Sequence, residues 1–312
     1  MKAKNIPYTV APDGKIVHSN GETIPKKDWF DIVNYIILGV FAFLCIYPFL
    51  NIVLTSFASD IDVTKYKNGL LVIPENFNFG AYTYIFKEGG VMKSFINSVI
   101  VTLSAVVYSV IMMSLGGYAL TKKDLPGKNI FFTLILITMF FGGGVIPFFL
   151  VLRDLGLYNN LLGLIIPFGI NTFNMILLRN FFANVPEEVL ESAKLDGAGE
   201  MRILFGLVIP LSLAGLATIA LFQFVGYWND WYWPLLLMKD EEKFTLALKL
   251  KKILEKNSTQ GAGGSGGSSV EPVHPEVQGN ATIIVSIIPI LCVYPFVQKY
   301  FVKGIYVGSV KM

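Results

Sequence analysis

The sequence predicts an all-α membrane protein of six transmembrane helices, and two observations carry that. Six runs free of charged residues, at 32–59, 94–121, 129–152, 155–178, 203–229 and 277–298, each exceed the roughly 20 residues a helix needs to cross a hydrocarbon core about 30 Å thick. Charged residues make up only 15% of the 312 and hydrophobic ones 54%, whereas soluble domains carry about a quarter charged residues.

Residues 1–28 are polar, without apolar periodicity, and read as a mobile leader. They do not read as a signal peptide, because the first apolar run is too long for a signal core. Trp29 suits the membrane interface, and the transmembrane domain runs from 29 to 312. Pro48 marks a kink in the first span. The loop 60–93 gathers Phe77, Phe79, Tyr82, Tyr84 and Phe86, a density that suits a folded cap on the membrane surface.

In the second run, Asn97, Ser98, Thr102, Ser104, Ser114, Gly116 and Gly117 are small or polar. Such residues let helices approach closely in lipid, so this span is expected inside a bundle. The third run breaks at Gly142-Gly143-Gly144 with Pro147 close behind, and the fourth holds Pro167 and Gly169. Backbone groups freed at membrane depth need partners, so the glycines either face protein or a water-filled cavity, or form a plain packing notch.

The main charged island of the second half lies at 185–202. Pro186 suits a first helical position, Glu187 and Glu188 suit the positive first turn, and Gly197 suits a helix stop. A second helix then carries Met201, Leu204, Phe205 and Val208 at spacings of three and four. Pro210 interrupts its hydrogen-bond ladder, so it should bend as it runs into the fifth span. That span leads into Gln223, Tyr227, Trp228, Asn229, Asp230 and Trp231, in a segment with three of the four tryptophans. An interfacial aromatic belt explains the cluster. A sugar path explains it too, because pyranose rings offer apolar faces and hydroxyl edges to such a lining.

The stretch 238–278 reads as a long loop. It begins with lysines among acidic residues and passes through a Gly/Ser tract that includes Gly261, Gly263, Gly264 and Gly266. Cys45 and Cys292 fall in separate spans and read as small core residues, and neither His18 nor His274 has metal-ligand company. No metal site and no catalytic group is expected. The net charge of +3 is too small and dispersed for nucleic acid. Lys and Arg number 14 on the side of the termini and 11 on the other, too even to orient the chain.

The charged island settles more. Glu191-Ser192-Ala193, three residues, Gly197, nine residues, then Leu207-Val208-Ile209-Pro210 resembles the EAA loop of permease subunits in binding-protein-dependent ABC importers. The family pattern is Glu-Ala-Ala, three residues, Gly, nine residues, Ile-x-Leu-Pro, so Ser192 replaces the first alanine here, and Leu207 and Ile209 stand for the two aliphatics. Further matches are Gly117-Tyr118-Ala119-Leu120, Gly143 to Pro147, Leu155-Gly156-Leu157, Trp228-Asn229, Pro234-Leu235, Tyr300 to Ile305 and Gly308 to Lys311. They resemble the carbohydrate branch, similar to the smaller maltose-type permease and nearest the polysaccharide or complex-oligosaccharide subgroup.

The resemblance implies a type I ABC importer permease fold with a cytoplasmic coupling helix between helices 4 and 5, in the cytoplasmic membrane of a prokaryote, both termini inside. It implies that Glu188, Glu191, Ser192, Ala193, Asp196, Gly197 and Pro210 serve contact with an ATPase. It implies as partners a second homologous permease, two ATPase subunits that bind ATP and Mg, and an extracellular solute-binding protein delivering a glycan. In maltose-type relatives the loop before the last span reaches into the binding protein, which gives Gly261, Gly263, Gly264 and Gly266 that expected role.

The chain itself is not expected to hydrolyse ATP: Gly127-Lys128 is followed by Asn129 and lacks the upstream glycine spacing of a phosphate-binding loop. A permease for a non-sugar solute keeps the elbow but not the closing-segment resemblance. An ion-coupled secondary transporter needs acidic groups buried at membrane depth, and Asp230 is the one candidate.

Overall fold

The computed structural model describes residues 8–10, 16–18, 29–66, 69–87, 90–261 and 274–309, and the chain forms two units, 1–52 and 53–312. In the first, β1 (Tyr8–Val10) pairs antiparallel with β2 (Ile16–His18), Thr9 opposite Val17. The polar leader therefore contains a short hairpin. Most of α1 (Trp29–Ser56) also belongs to this unit, and Pro48 sits inside the helix without ending it.

In the second unit, α2 (Asp60–Lys65) and α3 (Gly80–Lys87) build the cap expected between the first two spans. Ser59 and Asp62 make a reciprocal capping box at the start of α2, which satisfies two otherwise orphaned N–H groups. The Phe57 ring meets Phe77, Phe79 and Tyr82 at 5.7, 5.3 and 5.2 Å between centroids.

The long helix α4 (Val91–Ala119) contributes to all three buried clusters: Val91 to one, Val101 and Ala105 to a second, Met113 and Tyr118 to the third. Of the residues the small-residue pattern picks out, Asn97, Ser98, Thr102, Ser114 and Gly117 are buried, together with Ser94 and Ser109, whereas Ser104 is exposed and Gly116 half-buried. Gly117 shows why size matters. A Cβ there would lie 3.3 Å from both Met175 O and Arg179 N, so the glycine permits backbone-to-backbone approach.

α5 (Lys128–Phe140) and α6 (Val145–Asp154) form a pair bent by 111° across the glycine triplet. Gly144 adopts φ +85°, and side chains at Gly142 or Gly143 would meet nothing within 4 Å. These two glycines are exposed within this chain and face none of its packed helices.

The run 155–178 departs from the expected fourth span. Turns at Gly156 and Asn159, both at positive φ, lead into a 3-10 turn at Leu161–Leu164, and α7 (Thr172–Ala183) has only 12 residues. The cause is local. Asn160 and Asn171 turn their side-chain oxygens onto the backbone N–H groups of Leu162 and Asn174, and such caps compete with a continuous ladder. Pro167 and Gly169 lie between them.

α8 (Glu187–Leu195), α9 (Glu200–Ile203), a π-helical turn at Leu204–Val208 and α10 (Ile209–Leu211) lead to Ser212. There the axis turns by 86° into α11 (Leu213–Asn229). α12 (Tyr232–Leu237) follows. The supposed long loop then contains α13 (Leu246–Gly261), and α14 (Pro275–Ser309) closes the chain. Leu246 and Ile253 are buried on α13, a helical spacing that the surrounding lysines mask in the sequence. Only 262–273 of that loop lies outside the described residues.

Among the described residues, three helices are long and apolar enough to cross a membrane, or five when each bent pair counts as one span. Cys45 and Cys292 are free thiols exposed on α1 and α14 and are not core residues.

Candidate functional site

Two regions of unit 53–312 gather the residues singled out by the sequence, and α4 touches both. The first is the elbow. Pro186 stands at the N-cap, one residue earlier than expected, and α8 begins at Glu187. Gly197 ends it at φ +79°. The Ala198 N–H donates to Ala193 O and the Gly197 N–H to Lys194 O, both at 3.0 Å, which is the paired closure of a left-handed helix stop.

Glu188, Glu191, Ser192, Asp196 and Gly197 are exposed. Ala193 is not: it is 9% exposed and packs in the cluster of Tyr118, Ile203 and Leu204. Its small size serves close approach within this chain, an inward packing that the sequence pattern does not reveal. The expected apolar stripe is also rotated. Ile203, Leu204 and Val208 are buried, but Met201 and Phe205 are 63% and 49% exposed. The π-helical turn adds a residue per turn and shifts which side chains face inward. Pro210 lies in α10 immediately before the 86° bend. Leu195, 89% exposed, adds an outward apolar side chain that sequence reasoning passed over.

Two ionic contacts fasten the elbow to the end of α4. Lys123 donates to both carboxylate oxygens of Glu187 at 2.7 and 2.9 Å. The pairing raises the lysine above its ordinary range and lowers the glutamate, through the hydrogen bond first and the opposite charge second. Beside it, Tyr118 Oη donates to Glu200 Oε2 at 2.6 Å, and Lys122 pairs with the same oxygen while donating to Tyr118 Oη at 2.6 Å. Lys194 stands 3.7 Å from the other Glu200 oxygen. Glu200, Lys122 and Tyr118 carry no signal in spacing that sets them apart as partners.

The second region is a cleft of about 400 Å³. Gln223, Gly226, Tyr227, Asn229 and Asp230 line one side, and Pro167, Phe168, Ile170 and Asn171 the other. Tyr227 Oη donates to Phe168 O at 2.8 Å and accepts from Ser109 of α4 at 3.2 Å. Gln223 is buried and reaches Met113 Sδ, also on α4, at 3.6 Å. Asp230 accepts from the N–H groups of Tyr232 and Trp233 at 3.0 and 3.3 Å, which starts α12 after the chain turns.

Four of the six expected path residues therefore share one cleft. Trp228 does not join them. It is 4% exposed, stacks on Phe224 at 6.0 Å and donates Nε1–H to Ser286 O at 2.9 Å, a packing role that satisfies its polar atom. Trp231 lies outside the cleft, under the Lys251 ammonium at 3.9 Å. The lining from 167–171 comes from the broken fourth run, for which the sequence leaves a substrate path and a plain packing notch both open. Gly261 ends α13, while Gly263, Gly264 and Gly266 fall outside the described residues.

The family model described as "Binding-protein-dependent transport system inner membrane component" matches residues 77–306. The polygalacturonan/rhamnogalacturonan transport system permease protein YtcP of Bacillus subtilis is 41% identical, over 92% of this chain and 99% of its own length. The arabinooligosaccharides transport system permease protein AraQ of Halalkalibacterium halodurans is 30% identical, over 93% and 99%. A chain from the crystal structure of a bacterial ABC transporter involved in the import of the acidic polysaccharide alginate superimposes with a TM-score of 0.80 at 36% identity, over 89% of this chain and 100% of that one.

Proposed function

Because the chain belongs to the binding-protein-dependent transport system inner membrane components, we propose that it is a permease subunit of an ATP-driven importer for oligosaccharides or polysaccharide fragments delivered by an extracellular solute-binding protein. The observation that carries this reading is the likeness, at 36% identity and over the whole of that chain, to a permease-sized chain of the alginate importer. The chain is a transport protein and not an enzyme. ATP and Mg belong to two separate ATPase subunits, and a second, homologous permease completes the path.

In this reading the elbow 185–202 is the coupling helix, cytoplasmic like both termini, and the six-span arrangement includes the short α7. Glu188, Glu191, Ser192 and Asp196 offer a polar face to an ATPase cleft, and Leu195 and Met201 an apolar one. Support comes from their common exposure on a rigidly stopped helix. Gln223, Tyr227, Asn229 and Asp230 form the sugar-facing wall.

α4 connects the two. Its Tyr118 binds the elbow through Glu200, and its Ser109 and Met113 bind Tyr227 and Gln223. Nine residues of helix separate Ser109 from Tyr118, about 14 Å of stiff rod. Closure of the ATPases on ATP displaces the elbow, and α4 carries that displacement to the cleft. The loaded binding protein favours the same state from outside, so the coupling is reciprocal. The test is reconstitution of this chain with its partner permease and ATPases in proteoliposomes. Loaded binding protein should stimulate ATP hydrolysis and drive accumulation of the glycan. Accumulation that proceeds without the ATPases overturns the reading.

A further inference from the structure

Beside the cleft lies a second depression, of about 550 Å³, whose remaining lining beyond Asn229 the transport reading leaves without a role. Ala247, Leu250 and Leu254 of α13 form its apolar floor, and Asn229, Trp231, Lys251 and Glu255 supply its ring and polar groups. Asn229 lines both depressions, so the two are neighbours along one surface. We propose that this depression is an outer subsite for a sugar unit that bears a carboxylate, with Lys251 pairing the carboxylate and Trp231 supplying an apolar platform.

Three observations support the assignment. The Lys251 ammonium is held 3.9 Å from the Trp231 ring centroid and its side chain is only 27% exposed, so the charge is fixed in place and partly stripped of water. Ionic contact made there is stronger than on an open surface. Its resident partner is weak. Glu255 lies 2.9 Å away at i,i+4, but with the lysine N-terminal to the glutamate, the less favourable order on a helix. An incoming carboxylate can take Lys251 over at small cost. Finally, four lysines, Lys249, Lys251, Lys252 and Lys256, stand on α13 against Glu255 within 246–256, and although Lys249 pairs with Glu241 at 3.4 Å, the helix keeps an excess of positive charge that attracts an anionic chain. Asp230 does not oppose this. Its carboxylate faces the N–H groups of Tyr232 and Trp233 in the inner cleft, where sugar hydroxyls, not carboxylates, would be the groups presented.

The inference rests on the carbohydrate-importer reading, and the experiment separates the two. Binding of trigalacturonate and of its methyl-esterified form is measured calorimetrically on the purified complex of permeases and ATPases, without binding protein, for the wild type, Lys251→Gln and Trp231→Ala. Lys251→Gln is expected to weaken trigalacturonate about tenfold, the loss of one charge-assisted contact, and to leave the ester unchanged. Trp231→Ala is expected to weaken both. Equal affinity of wild type and Lys251→Gln for trigalacturonate, equal weakening of both ligands by Lys251→Gln, or no trigalacturonate binding to the wild type overturns the subsite. ATPase stimulation by loaded binding protein, recorded on the same wild-type preparation, reports the importer reading independently: its absence overturns that reading, whatever Lys251→Gln does.

Discussion

Tyr118 and Glu200, 82 residues apart in sequence, share a 2.6 Å hydrogen bond that ties the end of α4 to the start of α9. Lys122 closes the contact by binding both. The elbow is therefore braced against the same helix that contacts the cleft. Breaking that brace with Glu200→Gln or Tyr118→Phe is expected to lower ATPase stimulation by loaded binding protein about fivefold or more, the usual size of a coupling term, with basal hydrolysis retained. Exchanging the charges, Lys122→Glu with Glu200→Lys, should recover part of the stimulation. A purely structural contact would lower basal and stimulated rates together in all of these variants.

Gly197 holds φ +79° with open space around it, so backbone conformation alone constrains the position. Gly197→Val should cost about 1–2 kcal/mol locally and reduce stimulated hydrolysis, while Gly197→Asn, which accepts the left-handed region, should keep most of it. Both variants should elute as intact complexes by size exclusion.

Gly117 faces backbone of α7 at 3.3 Å. Gly117→Val is expected to destabilise the helix pair by about 1–3 kcal/mol, as overpacking does, and to lower the midpoint of thermal unfolding in detergent. A midpoint equal to that of the wild type would show that α4 and α7 have room to separate.

In the cleft, Tyr227→Phe leaves the Phe168 carbonyl without its donor and Ser109 without its acceptor. An unmet hydrogen bond in a buried site costs about 1–3 kcal/mol. Glycan uptake should fall at unchanged basal ATPase activity, and Gln223→Ala should act in the same direction. Uptake at the wild-type rate in both variants would remove this cleft from the path.

The turn at Asn159 is clamped to the segment after α12. Its Oδ1 accepts from the N–H groups of Lys239 and Asp240, and its Nδ2 donates to Asp240 Oδ2 at 2.7 Å. The Asn159 amide, and then Lys243, lower the Asp240 carboxyl below its ordinary range. A lowered folded-state pKa contributes stability that is present above the unfolded value, about 3.9, and is lost as pH falls through the folded one. The protection factors of the amides at 239–243, taken against the intrinsic exchange rate at each pH, should hold at neutral pH and fall below about pH 4. Asp240→Asn should remove that dependence.

Features with a local cause were legible in the sequence. The long apolar stretches of α1, α4 and α14, the break at the glycine triplet, the stop at Gly197 and the bend beyond Pro210 each follow from residues within a turn or two, because helix propensity, caps and proline act over that range. The burial of the hydroxylic side of α4 was equally legible from its small residues. What only the tertiary structure decided is which side chain faces which neighbour. Ala193 turns inward, Met201 turns outward, Trp228 packs in a core, and its sequence neighbours Asn229 and Asp230 line the cleft. The fourth apolar run yields to its asparagine caps, and a lysine-rich segment becomes α13. Orientation about a helix axis depends on contacts such as Tyr118 with Glu200 and Ser109 with Tyr227, whose partners lie 82 and 118 residues apart, beyond the reach of any local pattern.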